Sequence, residues 1–489
     1  MPGARKGEPI ATLVKQIRGN GCIKDARKMS SPSPTPQWSA WVSAGIAVLL
    51  AGCVGVRTPS EKSARQQLDA VTVSYRPGDA RPPLPVLKAE SPLSDFLTHA
   101  MFTQPQVEAA YYDWAASVRR ITVERSLPDP RLTFSADIQD VVMGLMPGLM
   151  MDFPGPGKLR AAANVAAAES DVKYFAFESA VLRTAFNLKK PYYQLHFLDA
   201  KIAVNQEMLR LLADVEKLSR ARNEVGAVTL QDALRAQIEQ ERLANEIVNL
   251  QDSRNPLLAQ FKSALGLKAE DAAPPLPTKL ETTPLDLKSD RLLTDALARN
   301  PRLKAMEAEV RRADASIRLA YKARVPDFSL GLEANPLAVP TIFTPQAGIT
   351  LPIWRDKIGA QIAAAQADKQ AAAARFSAEQ IMLAVEFAEK SFMFREASRN
   401  LELLNDRLLP KARQSLDVAR SSYGSGKLDF INLLDAQRTL LDFRLAEVEA
   451  RIQRELALAE LSLVILGTPP AGAPILPTRQ PATKPGGTP

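Results

Sequence analysis

The side chain with the most definite chemistry in this 489-residue sequence is the thiol of Cys53. It closes the stretch Leu50-Ala51-Gly52-Cys53, directly after the apolar run WVSAGIAVLL at 41–50. A run of that length is too short to cross a bilayer as a permanent helix, but it suits a secretory signal. Charge, apolar run, small residues and Cys, in that order, resemble a bacterial lipobox. Such a signal is cut before the Cys, whose thiol is then acylated. The only other cysteine, Cys22, falls in the segment that would be removed, so no disulfide is expected within the mature chain. Val54 follows, where an Asp would often hold a lipoprotein in the inner membrane, so sorting to the outer membrane is allowed.

The other reactive residue types are scattered. Met143, Met146, Met150 and Met151 cluster in one short segment. Their thioethers suit soft Cu(I), yet Met is also a plain apolar residue for a lipid face or loop. No metal site is assigned to them. His99 and His196 stand far apart, and no HExxH, CxxC or zinc-spaced cluster accompanies them. Gly155-Pro156-Gly157-Lys158 has the flavour of a phosphate loop but lacks the full GxxxxGK[ST] pattern. It is expected at a strand-to-helix junction. No Ser/His/Asp or Cys/His set stands out, so neither an enzyme nor a cofactor is expected. Charge excludes another class. Of the formal +8, residues 1–28 hold +5. The remaining chain, at +3, carries no electrostatic argument for nucleic acid.

The elements that must position these residues come in two copies. ARNEVGAVTLQDALRAQ at 221–237 aligns with SSYGSGKLDFINLLDAQ at 421–437, an offset of 200. Lys158-Leu159 matches Lys357-Ile358 at 199, Leu127-Pro128-Asp129 matches Val325-Pro326-Asp327 at 198, and Gln104-Pro105 matches Asn300-Pro301 at 196. The order is preserved and the drift is small, which describes a duplication. Each copy opens with a helix, expected at 92–126 and 290–324. Alternating runs follow at 131–139 and 327–335, the period of strands with one apolar face. Return strands are expected at 149–153 and 347–353. Long helices follow at 157–223 and 356–422, about 100 Å each at 1.5 Å per residue. Pro191 and Pro410 should kink or bend them. Turns at Gly226 and at Gly424-Ser425-Gly426 lead to returning helices at 229–266 and 429–466.

This plan divides the chain into a signal segment at 1–52, a lipid-anchored extended leader at 53–90 and a first repeat at 91–271. A Pro-rich link at 272–288, a second repeat at 289–467 and a disordered tail at 468–489 complete it. The fold class is mostly α with a transmembrane β part. Four strands cannot close a barrel, since the smallest membrane barrels have about eight. Three copies would supply twelve, with the helical hairpins continuing the barrel as a tube. A periplasmic adaptor would carry one hairpin between β-rich domains. A structural coiled-coil lipoprotein would lack paired amphipathic strands.

The duplicated order of helix, strand pair, long helix, Gly turn and returning helix resembles the TolC-type outer-membrane efflux family. The matching stretches are NPRLKAMEAEVRRADASIRLAYKARVPDFSL, LPIWRDKIGAQIAAAQADKQAAAARF and LLPKARQSLDVARSSYGSGKLDFINLLDAQRTLL, and the resemblance covers 92–467. The lipobox fits its lipid-anchored members. The opening helix and LPDPRL look most similar to its heavy-metal branch, the CusC- and CzcC-like proteins. The resemblance implies a homotrimeric, passive, twelve-stranded duct through outer-membrane lipid and periplasm. It would dock a periplasmic adaptor and an inner-membrane RND-type pump. It also implies that Tyr423 and Asp435 lie at the periplasmic gate. Lys427 stands beside Leu428, the position where the best-known member has a basic residue.

Overall fold

The computed structural model describes residues 57–137, 144–226, 229–281, 292–336, 338 and 340–470. The signal segment, Cys53, Met143 and most of the tail lie outside the described residues, as does the link beyond 281.

The segment expected to be an extended leader is instead led by a helix, α1 (Pro59–Tyr75). Thr58 caps it, accepting the Glu61 amide at 3.2 Å, and Pro59 opens its first turn. Ala64, Leu68, Val71 and Tyr75 form one buried stripe at helical spacing. Only four of its seventeen residues make that stripe, so the polar remainder hid it. Buried Glu61 pairs within the helix with Arg65 at 2.9 Å and fixes the helix to α3 by an ion pair with Arg125 at 2.7 Å.

The first repeat holds α2 (Leu93–Thr103), α3 (Pro105–Arg125), β1 (Arg131–Asp137), β2 (Gly144–Phe153), α4 (Lys158–Glu224), α5 (Leu230–Asp252) and α6 (Arg254–Ala264). The second holds α7 (Leu292–Arg299), α8 (Pro301–Lys322), β3 (Asp327–Asn335), β4 (Ile342–Thr350), α9 (Arg355–Leu403), α10 (Leu409–Gly424) and α11 (Phe430–Glu460). The single opening helices expected from the sequence are therefore pairs. Pro105 and Pro301 start the second helix of each pair, and a proline disfavours helix in the residue before it. That preceding residue has the same role in both copies. Gln104 donates its amide to the Ser263 carbonyl at 3.1 Å, and Asn300 donates to those of Val464 and Ile465 at 3.0 and 2.9 Å. Each repeat is thus tied back to the end of its returning helix. Each returning helix ends on Leu-Gly, Leu265-Gly266 in the first repeat and Leu466-Gly467 in the second, and these endings follow from this knot. A Cβ on Gly266 would lie 2.8 Å from the Thr103 carbonyl, and φ there is +72°.

The two prolines inside the long helices have different outcomes. At Pro410 the regular helix gives way to a π-helical turn at Leu404–Leu408, which accommodates the missing amide donor. At Pro191 the helix is not divided, and α4 runs for 67 residues, about 100 Å. Its neighbours Tyr192 and Tyr193 are fully buried and donate hydrogen bonds to the link carbonyls of Lys279 and Glu281 at 2.8 and 3.0 Å. Beside them lies an aromatic cluster of Tyr75, Phe102, Tyr111, Trp114, Tyr174 and Phe177, with Trp114 stacked on Phe177 at 5.9 Å. α4 packs against α3, α5 and α8, while α9 packs against α8 and α11. The two helical hairpins lie side by side, linked by the ion pairs Arg438–Glu239 and Arg444–Glu207.

The strands form one antiparallel sheet in the order β1-β2-β3-β4. β2 begins at Gly144 and β4 at Ile342, five residues earlier than expected in each case. Pro147 and Pro345 read as turn residues in the sequence. Pro147 lies beyond the ladder to β3, which begins at Gly148, and Pro345 lies on an edge strand. At both places the strand has a neighbour on one side only, so a missing amide donor is tolerated.

Candidate functional site

Residues directly opposite each other in the sheet share a face. The register therefore sorts the strand residues into two faces. On one face lie Leu132 and Phe134; Pro147, Leu149, Met151 and Phe153; Phe328, Leu330 and Leu332; and Phe343, Pro345, Ala347 and Ile349. Every one is apolar. Leu132, Phe134, Leu149, Leu330, Leu332, Phe343 and Ile349 are half or more exposed, so nothing among the described residues covers them. The opposite face is mainly polar and small-residued, with Arg131, Thr133, Ser135, Asp152, Ser329, Gly331, Glu333, Thr344 and Gln346, and with Ile342 at its end beside Asn335. Nine strand residues rise about 30 Å, the thickness of a bilayer's hydrocarbon core. Among the described residues no helix is long and apolar enough to cross a membrane.

Glu333 stands at the middle of the polar face. It accepts from Ser135 on one side and from the Gln346 amide at 2.5 Å on the other. Arg131 and Asp152 form an ion pair near one end. The methionines divide between the faces. Met151 joins the apolar side, while Met146 and Met150 join the polar side. The latter two are four residues apart along one strand, about 13 Å. One chain therefore cannot gather their thioethers on a single ion. His99 and His196 remain apart, in α2 and α4.

The Gly155-Pro156-Gly157-Lys158 segment sits at the β2–α4 junction, and it holds a carboxylate rather than a phosphate. Asp327, the first residue of β3, accepts the Gly155 amide at 2.7 Å and the Lys158 ammonium at 2.7 Å. A second lysine, Lys322, donates to the Pro156 carbonyl at 3.3 Å. The junction latches the end of one repeat's strand pair to the start of the other's.

At the far end of the hairpins, Gly226 and Gly426 turn the chain at φ +74° and +75°. Gly424, expected to share that conformation, stays helical as the last residue of α10. Tyr423 is 1% exposed. Its hydroxyl shares a hydrogen bond of 2.9 Å with Ser219 of α4. Arg222 lies over its ring at 4.7 Å and donates to its carbonyl, and Phe430 meets the ring edge-on at 5.9 Å. Burial pushes the Tyr423 hydroxyl above its ordinary pKa, against the Ser219 bond that lowers it, so it stays protonated and able to donate. Asp435 and Lys427 are not part of this cluster. Both side chains are exposed, Asp435 in a groove between α10 and α11 lined also by Ser415 and Ser422. Nearby, burial and then the charge of Asp429 raise the Asp232 carboxyl above its usual range. Sequence reasoning missed Ser219 and Arg222. The available signal was the repeat alignment, which sets Arg222 opposite Ser422 and marks a basic residue present in one copy only.

Comparison with known proteins gives a consistent picture. Residues 292–467 match the family described as outer membrane efflux protein. The chain is similar to the cobalt-zinc-cadmium resistance protein CzcC of Cupriavidus metallidurans, 28% identical over 45% of this chain and 52% of that protein. It is also similar to the pyoverdine export outer membrane protein OpmQ of Pseudomonas putida, 25% identical over 63% of this chain and 66% of that protein. The chain thus spans about half to two thirds of the length of these curated relatives. Its fold is similar to that of CusC, a protein whose crystal structures concern folding and transmembrane channel formation. The TM-score is 0.68 at 16% identity, over 77% of this chain and 92% of that one.

Proposed function

We propose that this chain, a member of the outer membrane efflux protein family through residues 292–467, is one third of an outer-membrane exit duct. The observation that carries the reading is the sheet. Its apolar face is largely uncovered among the described residues, its other face is mainly polar, and its strands have the reach of a bilayer. Four such strands satisfy lipid only when the sheet closes, and three copies close it with twelve strands. The apolar face then meets lipid and the Glu333 face lines the lumen. The paired hairpins, about 100 Å long, continue as a helical tube through the periplasm. Acylation at Cys53 adds an anchor in the same membrane.

The duct is passive. It takes its cargo from an inner-membrane RND-type pump through a periplasmic adaptor that docks at the hairpin tips. The cluster of Tyr423, Ser219 and Arg222 holds those tips together in the closed form, and Asp435 and Lys427 present charge to the tip surface. The likeness to CzcC favours heavy-metal cations as cargo. The likeness to OpmQ favours an organic chelator of metal as a second reading. The reading as an adaptor or coiled-coil scaffold accounts for neither the two hairpins nor the amphipathic sheet.

Mass in detergent and single-channel conductance in planar bilayers test the proposal together. The expected result is a trimer of roughly three chain masses with a small, ion-selective conductance, as three-fold closure requires. A monomer without conductance, soluble without detergent once Cys53 is replaced by Ser, would overturn it.

A further inference from the structure

The second repeat keeps an amide whose partner it has lost. In the first repeat Gln237 of α5 donates to the Glu216 carboxylate of α4 at 3.1 Å. The repeat offset of 200 sets Gln437 opposite Gln237 and Leu416 opposite Glu216. The glutamine is retained, while the carboxylate it would reach is replaced by an apolar side chain. Gln437 is 2% exposed, and neither its oxygen nor its nitrogen has a hydrogen-bond partner among the described residues. Buried polar groups are nearly always paired, because leaving water without gaining a new partner costs stability. Packing alone does not call for a carboxamide here, since an apolar side chain of the same shape would fill the place without that cost.

Gln437 lines a cavity of about 420 Å³, within the size range of small-molecule sites. Three helices form its walls. α4 supplies Asn205, Met208 and Leu212, α5 supplies Leu243, and α11 supplies Leu434 and Gln437. All six are buried, and the two carboxamides, Asn205 and Gln437, are each 2% exposed. The mouth is charged. Arg438 and Glu239 form an ion pair there, and Arg242, Glu246 and Asp442 stand exposed beside it, one cation against two carboxylates. A mostly apolar chamber with convergent polar groups at its depth is the general form of a ligand site.

We propose that this cavity binds a small, neutral, amphipathic amide: an apolar body carrying one primary carboxamide or lactam. In such groups an N–H and the C=O lie on the same side. The ligand's N–H donates to the Gln437 oxygen, and its carbonyl accepts from the Gln437 nitrogen, so both unused ends are satisfied together. The apolar body lies against Met208, Leu212, Leu243 and Leu434. An amine or an ether meets only one end of the amide and leaves the other buried and unpaired, which selects against it. The surplus of carboxylate at the mouth selects against anions.

The walls come from both repeats, two helices from the first hairpin and one from the second. A molecule that touches all three binds only while the hairpins lie side by side. A ligand that prefers one state shifts the population toward it. On the duct reading that state is the closed tip, so the amide restrains opening. This consequence rests on the duct reading; the binding site itself does not.

The test uses the full chain in detergent with ε-caprolactam, and with N-methyl-ε-caprolactam, which has the same ring and carbonyl but no donor. Saturation-transfer NMR, referenced to empty micelles, should give ε-caprolactam a Kd on the order of millimolar, the scale that about eight non-hydrogen atoms support. The N-methyl compound should bind at least about tenfold more weakly, since it leaves the Gln437 oxygen unpaired. Gln437→Met keeps the length of the side chain and removes both polar atoms. It should lose the preference between the two lactams and unfold at the wild-type temperature or above it. Leu243→Phe fills the cavity from another helix and should weaken ε-caprolactam binding without touching Gln437. In planar bilayers, ε-caprolactam at ten times its Kd should lower the opening frequency by about elevenfold, the factor 1 + [L]/Kd.

No binding overturns the site. So does binding that neither N-methylation nor Gln437→Met changes, which is partition into detergent or apolar surface. A Gln437→Met chain that unfolds well below wild type would mean that the amide is already paired, and it also overturns the site. Selective binding with no change in opening keeps the site and removes its link to the closed tip. Selective binding by a chain that forms no channel keeps the site and removes the duct.

Discussion

Replacing Tyr423 by Phe should make the duct open more often. The substitution deletes one hydroxyl and leaves the ring, so the Arg222 and Phe430 contacts survive. The lost hydrogen bond is 2.9 Å long, and both partners are buried, Ser219 at 0% and Tyr423 at 1% exposure. A neutral hydrogen bond contributes about 1 kcal/mol net, and stranding the buried Ser219 hydroxyl brings the total to about 1–2 kcal/mol. Ser219 belongs to the first repeat's hairpin and Tyr423 to the second's, so separation of the tips breaks this bond. The closed state's advantage should then fall by a factor of about 5–30, since 1.4 kcal/mol is tenfold. Tyr423→Ala should act further in the same direction, because it also removes the cation–π contact and the buried ring. Opening frequency in planar bilayers reads the effect directly. The pair Tyr423→Phe with Ser219→Ala supplies the control, as removing both partners should cost less than the sum of the single changes. Conductance equal to wild type for both Tyr423 variants, with trimer mass retained, would refute the reasoning and remove Tyr423 from the gate.

Other expectations concern stability and pH. Trp114→Ala empties the centre of the aromatic cluster and should cost about 3–5 kcal/mol, read as a lowered unfolding midpoint. Gly155→Ala should loosen the β2–α4 junction, because its Cβ would meet the Pro326 carbonyl, and protease sensitivity there should rise. Burial holds His99 and His196 below the ordinary His pKa, so both stay neutral in the folded chain. Unfolding takes up their protons below about pH 6.5; stability should be full above that value and decline beneath it. The pair His99→Gln and His196→Gln should flatten that decline in thermal melts across pH. Asp232 has the opposite sign. Burial and Asp429 raise its pKa, so its ionised form strains the tip, and the strain is relieved as pH falls through the raised value. Asp232→Asn should slow hydrogen exchange at the tip at neutral pH and lose that advantage in acid.

Much of this protein was legible without coordinates, and the reason is locality. Strand faces follow from period two, so Leu132 and Phe134 separate from Thr133 and Ser135 in the sequence itself. The duplication follows from matched offsets. The Gly226 and Gly426 turns follow from backbone freedom, a property of single residues. Each of these signals needs no knowledge of what lies elsewhere in the chain. Where local rules were applied alone, they also misread α1, whose stripe gains meaning only from the core it packs on. They misread β2 as well, whose proline is tolerated only because one neighbour is absent beside it.

The contacts that decide function span far longer distances in the chain. Ser219 meets Tyr423 across 204 residues, Lys158 meets Asp327 across 169, and Ser135 meets Glu333 across 198. No periodicity encodes such pairs. They depend on the register with which β2 meets β3 and on the rotation of one hairpin against the other. Those quantities are settled jointly by packing along about 100 Å of helix. The sequence by itself determined which residues belong to each face and where each repeat turns. Only the tertiary structure decided which faces meet, because a face is a property of one element and a contact is a property of two.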